Sequence, residues 1–304
     1  MAPRPSPQTS RVVDLFEILA ANPGRSLSLA EISRQLDVHK ASCHSMLAVL
    51  VGAGWLVRDP HSKTYQMGSA MLRLGAAASS RLPALDLARP AMAALALETG
   101  GHCIAFLVGE DHVTVAHQVR NVRVPSTPMA IGTELPTRPP YGAALAAWVG
   151  ADQRDRWLDR VPADARERYR RALAATRRRG YAVGLHVLPD VRLQELASLI
   201  RAAEMRSGRL GDLADALTGE LMHREAWFPA KLAAGRVYDV SHVDAPVFDS
   251  EGNVTLILSL LPVPSAVTGA TVTSLGQQMV AATARLTEAL GGAPAAGAAG
   301  GRGS

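Results

Sequence analysis

Ser28-Leu29-Ala30-Glu31-Ile32-Ser33-Arg34-Gln35-Leu36-Asp37-Val38-His39-Lys40-Ala41-Ser42-Cys43-His44-Ser45-Met46-Leu47-Ala48-Val49-Leu50 is the stretch that decides how this 304-residue chain begins to fold. Ser28 and Glu31, three apart ahead of apolar residues, form a capping-box pattern: hydroxyl and carboxylate would satisfy free N–H groups at a helix start. The helix so begun offers Leu29, Ile32 and Leu36 to an interior. A tight turn at Leu36-Asp37-Val38 follows, and Asp37 suits it because Asp tolerates a left-handed backbone better than most residues. A third helix runs from His39 to about Ala53 and is stopped by Gly54. Along it Cys43, Met46, Leu47 and Leu50 recur at i, i+3, i+4 and i+7 as one inward stripe, while Lys40, Ala41, His44, Ser45 and Ala48 point the other way.

Upstream, Val12, Val13, Phe16, Leu19 and Ala20 mark a helix from about Ser10 to Ala21, capped by Thr9 or Ser10 and ended by Asn22-Pro23-Gly24. Downstream, Trp55-Leu56-Val57-Arg58 and Thr64-Tyr65-Gln66-Met67 read as strands of a hairpin closed by the polar turn Asp59–Lys63. Three helices and a hairpin in this order are a winged helix-turn-helix, spanning residues 10–67. Residues 1–9 and the Gly/Ala-rich 291–304 read as disordered tails. An Ala/Leu-rich linker helix suited to dimerisation occupies 68–82.

Beyond it the pattern changes. A helix at Leu85–Thr99 leads into strands at His102–Val108 and His112–Val119, turned by Gly109-Glu110-Asp111. An irregular stretch, 125–140, precedes helices near Gly142–Val149, Ala151–Leu158 and Asp164–Arg179. Two late strands, Val237–Phe248 and Val254–Leu261, flank the turn sequence Asp249-Ser250-Glu251-Gly252-Asn253. A last amphipathic helix covers Val272–Leu290. Strands with flanking helices on a central sheet make residues 83–290 an α+β domain suited to sensing a small molecule.

A helix that reads DNA must bury one stripe to hold its angle and offer polar side chains to the major groove. The inward stripe of the third helix meets the first need. Lys40, Ser42, His44 and Ser45 meet the second, Lys40 for phosphate or guanine and the serines for phosphate or base edges. Arg58, His61 and Lys63 on the hairpin would lie on the neighbouring backbone or minor groove. The net charge of +5 permits such a partner without demanding it, although the first 80 residues carry eight Lys/Arg against five Asp/Glu.

These residues resemble a known family. Leu29 to Leu36, Ser42 to Leu47 and Gly54-Trp55-Leu56-Val57 are similar to the helix-turn-helix of IclR-type regulators. Gly132-Thr133-Glu134-Leu135-Pro136, Tyr141 to Ala146, Arg179 to Val183, Ala245 to Gly252 and Leu275 to Gly292 resemble segments of the same family's GAF-like effector domain, so the resemblance covers nearly the whole chain. It implies a homodimer or homotetramer that grips double-stranded operator DNA, most often as a repressor. It also implies a small effector, an organic acid or aromatic intermediate, bound by the C-terminal domain. The resemblance places the effector cavity at Gly132, Pro140, Tyr141 and Gly142, at His242 where the family often has a ligand-touching Cys, and at Ser259 and Leu261. N–H groups at the Gly142 helix start would suit a carboxylate, with Arg138 adding charge.

The chain departs from the family pattern in several places. Ser45 stands where Arg is usual, and Asp37 where Gly is more common. Arg138-Pro139-Pro140 replaces small residues. An additional segment, roughly 192–227, could cover the pocket, extend an oligomer interface, or do neither. The alternative reading is a ligand-binding or protein-interaction module that has lost sequence-specific DNA binding, and Ser45 is its best support.

Other classes find little support. No GxSxG, P-loop, HExxH or GxGxxG pattern is present, so no enzyme is expected. His112 and His117 fall on opposite strand faces, and with only Cys43 and Cys103, both read as core residues, neither metal nor cofactor is expected. The arginines at 166, 168, 170, 171, 177, 178 and 179 read as a solvated helix face. No apolar run approaches the roughly 18 residues of a membrane span, and Met1-Ala2-Pro3-Arg4-Pro5 lacks a signal core, so a cytoplasmic protein is expected.

Overall fold

The computed structural model describes residues 6–20, 24–79, 83–121, 129–139, 141–186, 228–261 and 264–293. The chain divides into two compact units, Met1–Leu82 and Pro83–Ser304.

The first unit contains α1 (Pro7–Ala20), β1 (Leu27–Ser28), α2 (Leu29–Gln35), α3 (Lys40–Gly52), β2 (Leu56–Arg58), β3 (Thr64–Met67) and α4 (Ala70–Ser79). The capping box at α2 is complete. Glu31 N donates to Ser28 Oγ, and Ser28 N donates to the Glu31 carboxylate at 2.9 Å. Ser28 N and Ser28 Oγ, both donating to it, with Arg25 at 3.1 Å, hold the Glu31 carboxyl below its ordinary range. Asp37 has φ 50°, the left-handed turn expected of it. Leu15, Leu19, Leu27, Ile32, Cys43, Met46, Leu47, Leu50, Leu56 and Tyr65 form one core, so the inward stripe of α3 is the middle of this unit. Leu29 and Leu36 only flank it.

Two expectations need correction here. The first nine residues are not all tail, because α1 starts at Pro7. Pro is pre-organised for a first helical position, and Ser10 N donates to Ser6 O at 3.0 Å, so Ser10 lies inside the helix and does not cap it. The hairpin is also a three-stranded sheet in the order β1-β3-β2, with Leu27 opposite Tyr65.

The second unit contains α5 (Pro83–Thr99), β4 (His102–Val108), β5 (His112–Val119), β6 (Glu134–Pro136), α6 (Ala143–Ala146), α7 (Ala151–Asp159), α8 (Ala163–Arg179), β7 (Ala182–Leu185), β8 (Val237–Phe248), β9 (Val254–Leu261), β10 (Ala266–Thr268) and α9 (Gly269–Ala289). Its strands run β10-β8-β9-β4-β5-β6, with β7 also paired to β8, and every pairing is antiparallel. Side chains alternate between faces along each strand. Ile104, Phe106, Val115 and Ile257 share a core with α6, α7 and α8, whereas α5 and α9 pack on the opposite face.

The long elements match the expected ones. The short strands β6, β7 and β10 were not anticipated, and β6 lies inside the stretch read as irregular. The helix expected near Gly142–Val149 is one turn long. The segment 192–227 lies outside the described residues, as does Pro140.

Candidate functional site

In the N-terminal unit, Lys40, Ser42, His44, Ser45, Arg58 and Lys63 are all exposed, the first four on α3 and the others on the β2–β3 hairpin. Burial of Cys43, Met46, Leu47 and Leu50 fixes the face of α3 that they occupy. His39, which the sequence reading passed over as a contact, is the N-cap of α3 and is exposed. Its Nδ1 accepts from Ala41 N at 3.4 Å. Ser45 Oγ donates to Ala41 O at 3.2 Å, leaving its lone pairs free to accept. The hairpin turn is ordered by Asp59, whose carboxylate accepts from His61 N at 2.8 Å and Ser62 N at 2.7 Å. These bonds hold the Asp59 carboxyl below its ordinary range. They also bend the turn so that Lys63, with φ 57°, takes a left-handed backbone. Arg58 stacks over Tyr65 at 5.9 Å, which braces its guanidinium above the hairpin.

In the second unit, strand register assembles a polar patch on the sheet face that carries α6 and α8. Asp244 on β8 lies opposite Ser259 on β9, and Ser259 opposite Ile104 on β4. One step along, Gly184 on β7 lies opposite His242, and Leu261 opposite His102. His242 and Ser259, named from the family resemblance, therefore belong to one surface, with Leu261 partly buried at its end. The His242 ring lies across Gly184, where a Cβ would come within 2.1 Å of its Cε1. Its Nε2 is 3.6 Å from Asp244 Oδ2.

Two further polar residues of this patch were not named from the sequence. His102 is 5% exposed, and its Nδ1 accepts from Asn121 N at 3.0 Å. Burial, with Arg120 nearby, lowers its pKa. The ring is therefore neutral at pH 7 with its proton on Nε2, and that buried donor has no acceptor among the described residues. Asp244 Oδ1 is likewise buried without a donor. An unsatisfied buried polar group costs about 1–3 kcal/mol, so both atoms are ready for a partner. A signal was available for each. An Asp within Val-Ser-His-Val-Asp-Ala-Pro-Val-Phe breaks an apolar strand, and His102 shares its face with Ile104 by simple alternation.

The loop residues fare differently. Gly132 is exposed with φ 84°. Tyr141 is half-buried, its carbonyl accepts from Trp157 Nε1 at 3.1 Å, and burial pushes its hydroxyl up to about 12, with Arg138 acting against the shift. Arg138 itself is half-buried. Gly142 has φ 72°, and a Cβ there would meet the Thr137 backbone at 2.8 Å, so only glycine fits. Because α6 is a single turn, it has too few aligned peptides for the dipole that the sequence reading invoked for a carboxylate.

Cys43 and Cys103 are fully buried, and burial raises both thiols, Cys103 to about 12. Among the described residues no group of His, Cys, Asp and Glu could hold a metal, and no helix is long and apolar enough to cross a membrane. The arginine-rich α8 is not wholly a solvated face. Arg179 Nε donates to Tyr181 O at 2.6 Å, its guanidinium stacks on Tyr181 at 4.9 Å, and burial lowers its pKa to about 10.

The family model of the IclR helix-turn-helix domain matches residues 8–60. The crystal structure of an IclR transcriptional regulator from Alicyclobacillus acidocaldarius superposes with a TM-score of 0.65 at 20% identity, covering 95% of this chain and 100% of that one. Residues 8–60 are thus an IclR-type helix-turn-helix domain. Over the superposed length the chain has the IclR fold, a helix-turn-helix followed by an α/β domain on an antiparallel sheet. An IclR homolog from Microbacterium hydrocarbonoxydans, complexed with 4-hydroxybenzoate, gives a TM-score of 0.61 at 18% identity, covering 93% and 99% of the two chains. Two curated HTH-type transcriptional regulators match in sequence. The HTH-type transcriptional regulator BhcR of Paracoccus denitrificans is 28% identical over 34% of this chain and 40% of its own length. XynR of Escherichia coli is 25% identical over 57% of this chain and 71% of its own. The match to BhcR thus spans less than half of that relative.

Proposed function

We propose that this protein is a ligand-responsive, DNA-binding transcriptional regulator, acting as a repressor in the cytoplasm and not as an enzyme. The observation that carries the reading is the juxtaposition in one helix-turn-helix unit of a buried α3 stripe with an exposed face bearing Lys40, Ser42, His44 and Ser45. Arg58 and Lys63 on the hairpin add phosphate contacts. Exposed Leu72 and Leu74 on α4 suit pairing with a second copy, as a dimer or tetramer on a two-fold operator would require.

The effector is a small organic acid carrying a hydroxyl, bound over Asp244, Ser259, His242 and His102 with Gly132, Arg138, Pro140, Tyr141, Gly142 and Leu261 around it. His102 Nε2–H supplies a donor for a carboxylate or carbonyl oxygen, and Asp244 Oδ1 an acceptor for a hydroxyl. The two ends of 4-hydroxybenzoate, the molecule bound by the Microbacterium homolog, offer that pair of groups.

The test is fluorescence anisotropy on the DNA upstream of the protein's own gene against random DNA, across a salt series. Selective binding whose logarithm falls linearly with log salt, with a slope of several phosphates, is the expected result. Equal weak binding to every fragment of a genomic selection would sink the reading in favour of a module that no longer reads sequence. Lys40→Ala weakens operator binding by about 1–3 kcal/mol if it reads a base, and a salt slope lower by about 1 shows a phosphate contact instead. His242→Leu changes the response to effector and leaves operator affinity unaltered. Loss of both in titrations of that variant would contradict the division of labour between the units.

A further inference from the structure

The sheet of the second unit has a hollow at its far end. A cavity of 510 Å³ lies beneath the turns of the β4–β5 and β8–β9 hairpins, where they meet the start of α7 and the last turns of α8. Val108 and Val254 line it, whereas His102 and Leu261 stand at the other ends of the same two strands. At about 3.3 Å per residue the two regions are roughly 20 Å apart, so this cavity is separate from the patch around Asp244.

Its lining is cationic on one side and apolar on the other. Arg154 and Arg177 both face it, and neither has a carboxylate partner among the described residues. The one carboxylate among the described lining residues is Glu251, which is exposed and accepts from Asn253 Nδ2 at 3.3 Å. Gly150, the N-cap of the nine-residue α7, supplies no side-chain cap, so N–H groups of the first turn stay free. Val149, Leu145 and Trp148 form the apolar wall. Trp148 is only 7% exposed, its indole N–H meets no acceptor, and the Arg177 guanidinium lies 6.0 Å from its ring.

We propose that this cavity is a second small-molecule site, for an organic anion with an apolar body. The volume is within the range of metabolite pockets. Two unpaired guanidinium groups suit a carboxylate or phosphate, which they can grip through paired N–H bonds. The valines and Trp148 would cover the ligand's hydrocarbon part. A carboxylate and a phosphate ester share this chemistry, and the probes separate them.

Benzoate and phenyl phosphate, with uncharged phenol as control, are titrated into the full chain by calorimetry and by indole fluorescence. At least one anion binds saturably at millimolar concentration while phenol does not, and the tighter anion identifies the headgroup. Arg154→Gln and Arg177→Gln each weaken that binding at least tenfold, by about 1.4 kcal/mol or more. Arg154 has no ion-pair partner among the described residues, so its variant retains the wild-type fold by circular dichroism. Trp148→Phe reduces the indole fluorescence response, which places the bound anion beside that ring. Failure of both anions to bind, or binding that persists in both arginine variants, overturns the proposal.

Discussion

Leu47→Ala lowers the stability of the N-terminal unit by about 3–5 kcal/mol and abolishes DNA binding wherever that unit is unfolded. Leu47 has no exposed surface and lies on α3 among Leu15, Ile32, Cys43 and Leu56. Truncation removes its transfer free energy and leaves a void that this small core cannot collapse to fill. Domains of this kind have a total stability of about 5–15 kcal/mol, so the loss is a large fraction of it. Urea denaturation followed by circular dichroism reads the effect as an earlier first transition. The second unit has its own core, and its transition stays where it was. Val49 provides the contrast. It is on the same helix but 71% exposed, and Val49→Ala shifts stability by less than about 0.5 kcal/mol. If the two variants unfolded together, the inward stripe would not be what holds α3 at its angle.

The second large effect is at Asp244. For any hydroxylated acid that releases the protein from operator DNA, Asp244→Ala weakens effector binding by about 2–3 kcal/mol, roughly 30- to 160-fold, as for a hydroxyl donor losing a buried charged acceptor. The ligand-free protein responds little. Asp244 Oδ1 is buried with no partner among the described residues, while Oδ2 faces His242 Nε2 at 3.6 Å, so truncation relieves one unsatisfied atom against the loss of one long contact and leaves the apo stability nearly unchanged. A structural carboxylate would behave differently: its removal would lower the apo melting temperature and leave effector affinity alone. Calorimetry and thermal denaturation on the one variant therefore decide which role Asp244 has. Gly184 belongs to the same argument, because only a residue without Cβ lets the His242 ring lie beside it.

Why the helix-turn-helix was legible is clear from its parts. The Ser28–Glu31 box, the left-handed Asp37 and the stripe from Cys43 to Leu50 each act within a few residues, so spacing alone specifies them. The hairpins β4–β5 and β8–β9 were legible for the same reason, alternation bounded by turn residues. The short strands were not. Leu27–Ser28, Glu134–Pro136, Ala182–Leu185 and Ala266–Thr268 carry no period of their own, and each is a strand only because a distant partner offers its edge. Arg179 read as solvated until Tyr181 and the Pro229 carbonyl, fifty residues on, enclosed it.

The proposed effector patch divides along the same line. Sequence by itself determined that His242 and Asp244 share one face of their strand, as do Ser259 with Leu261 and His102 with Ile104, since alternation is local. Only the tertiary structure decided that these faces coincide. Register across β7, β8, β9 and β4 brings Gly184, His242, Asp244, Ser259 and His102 onto one surface, and pairing between segments more than a hundred residues apart is set by the packing of the whole sheet.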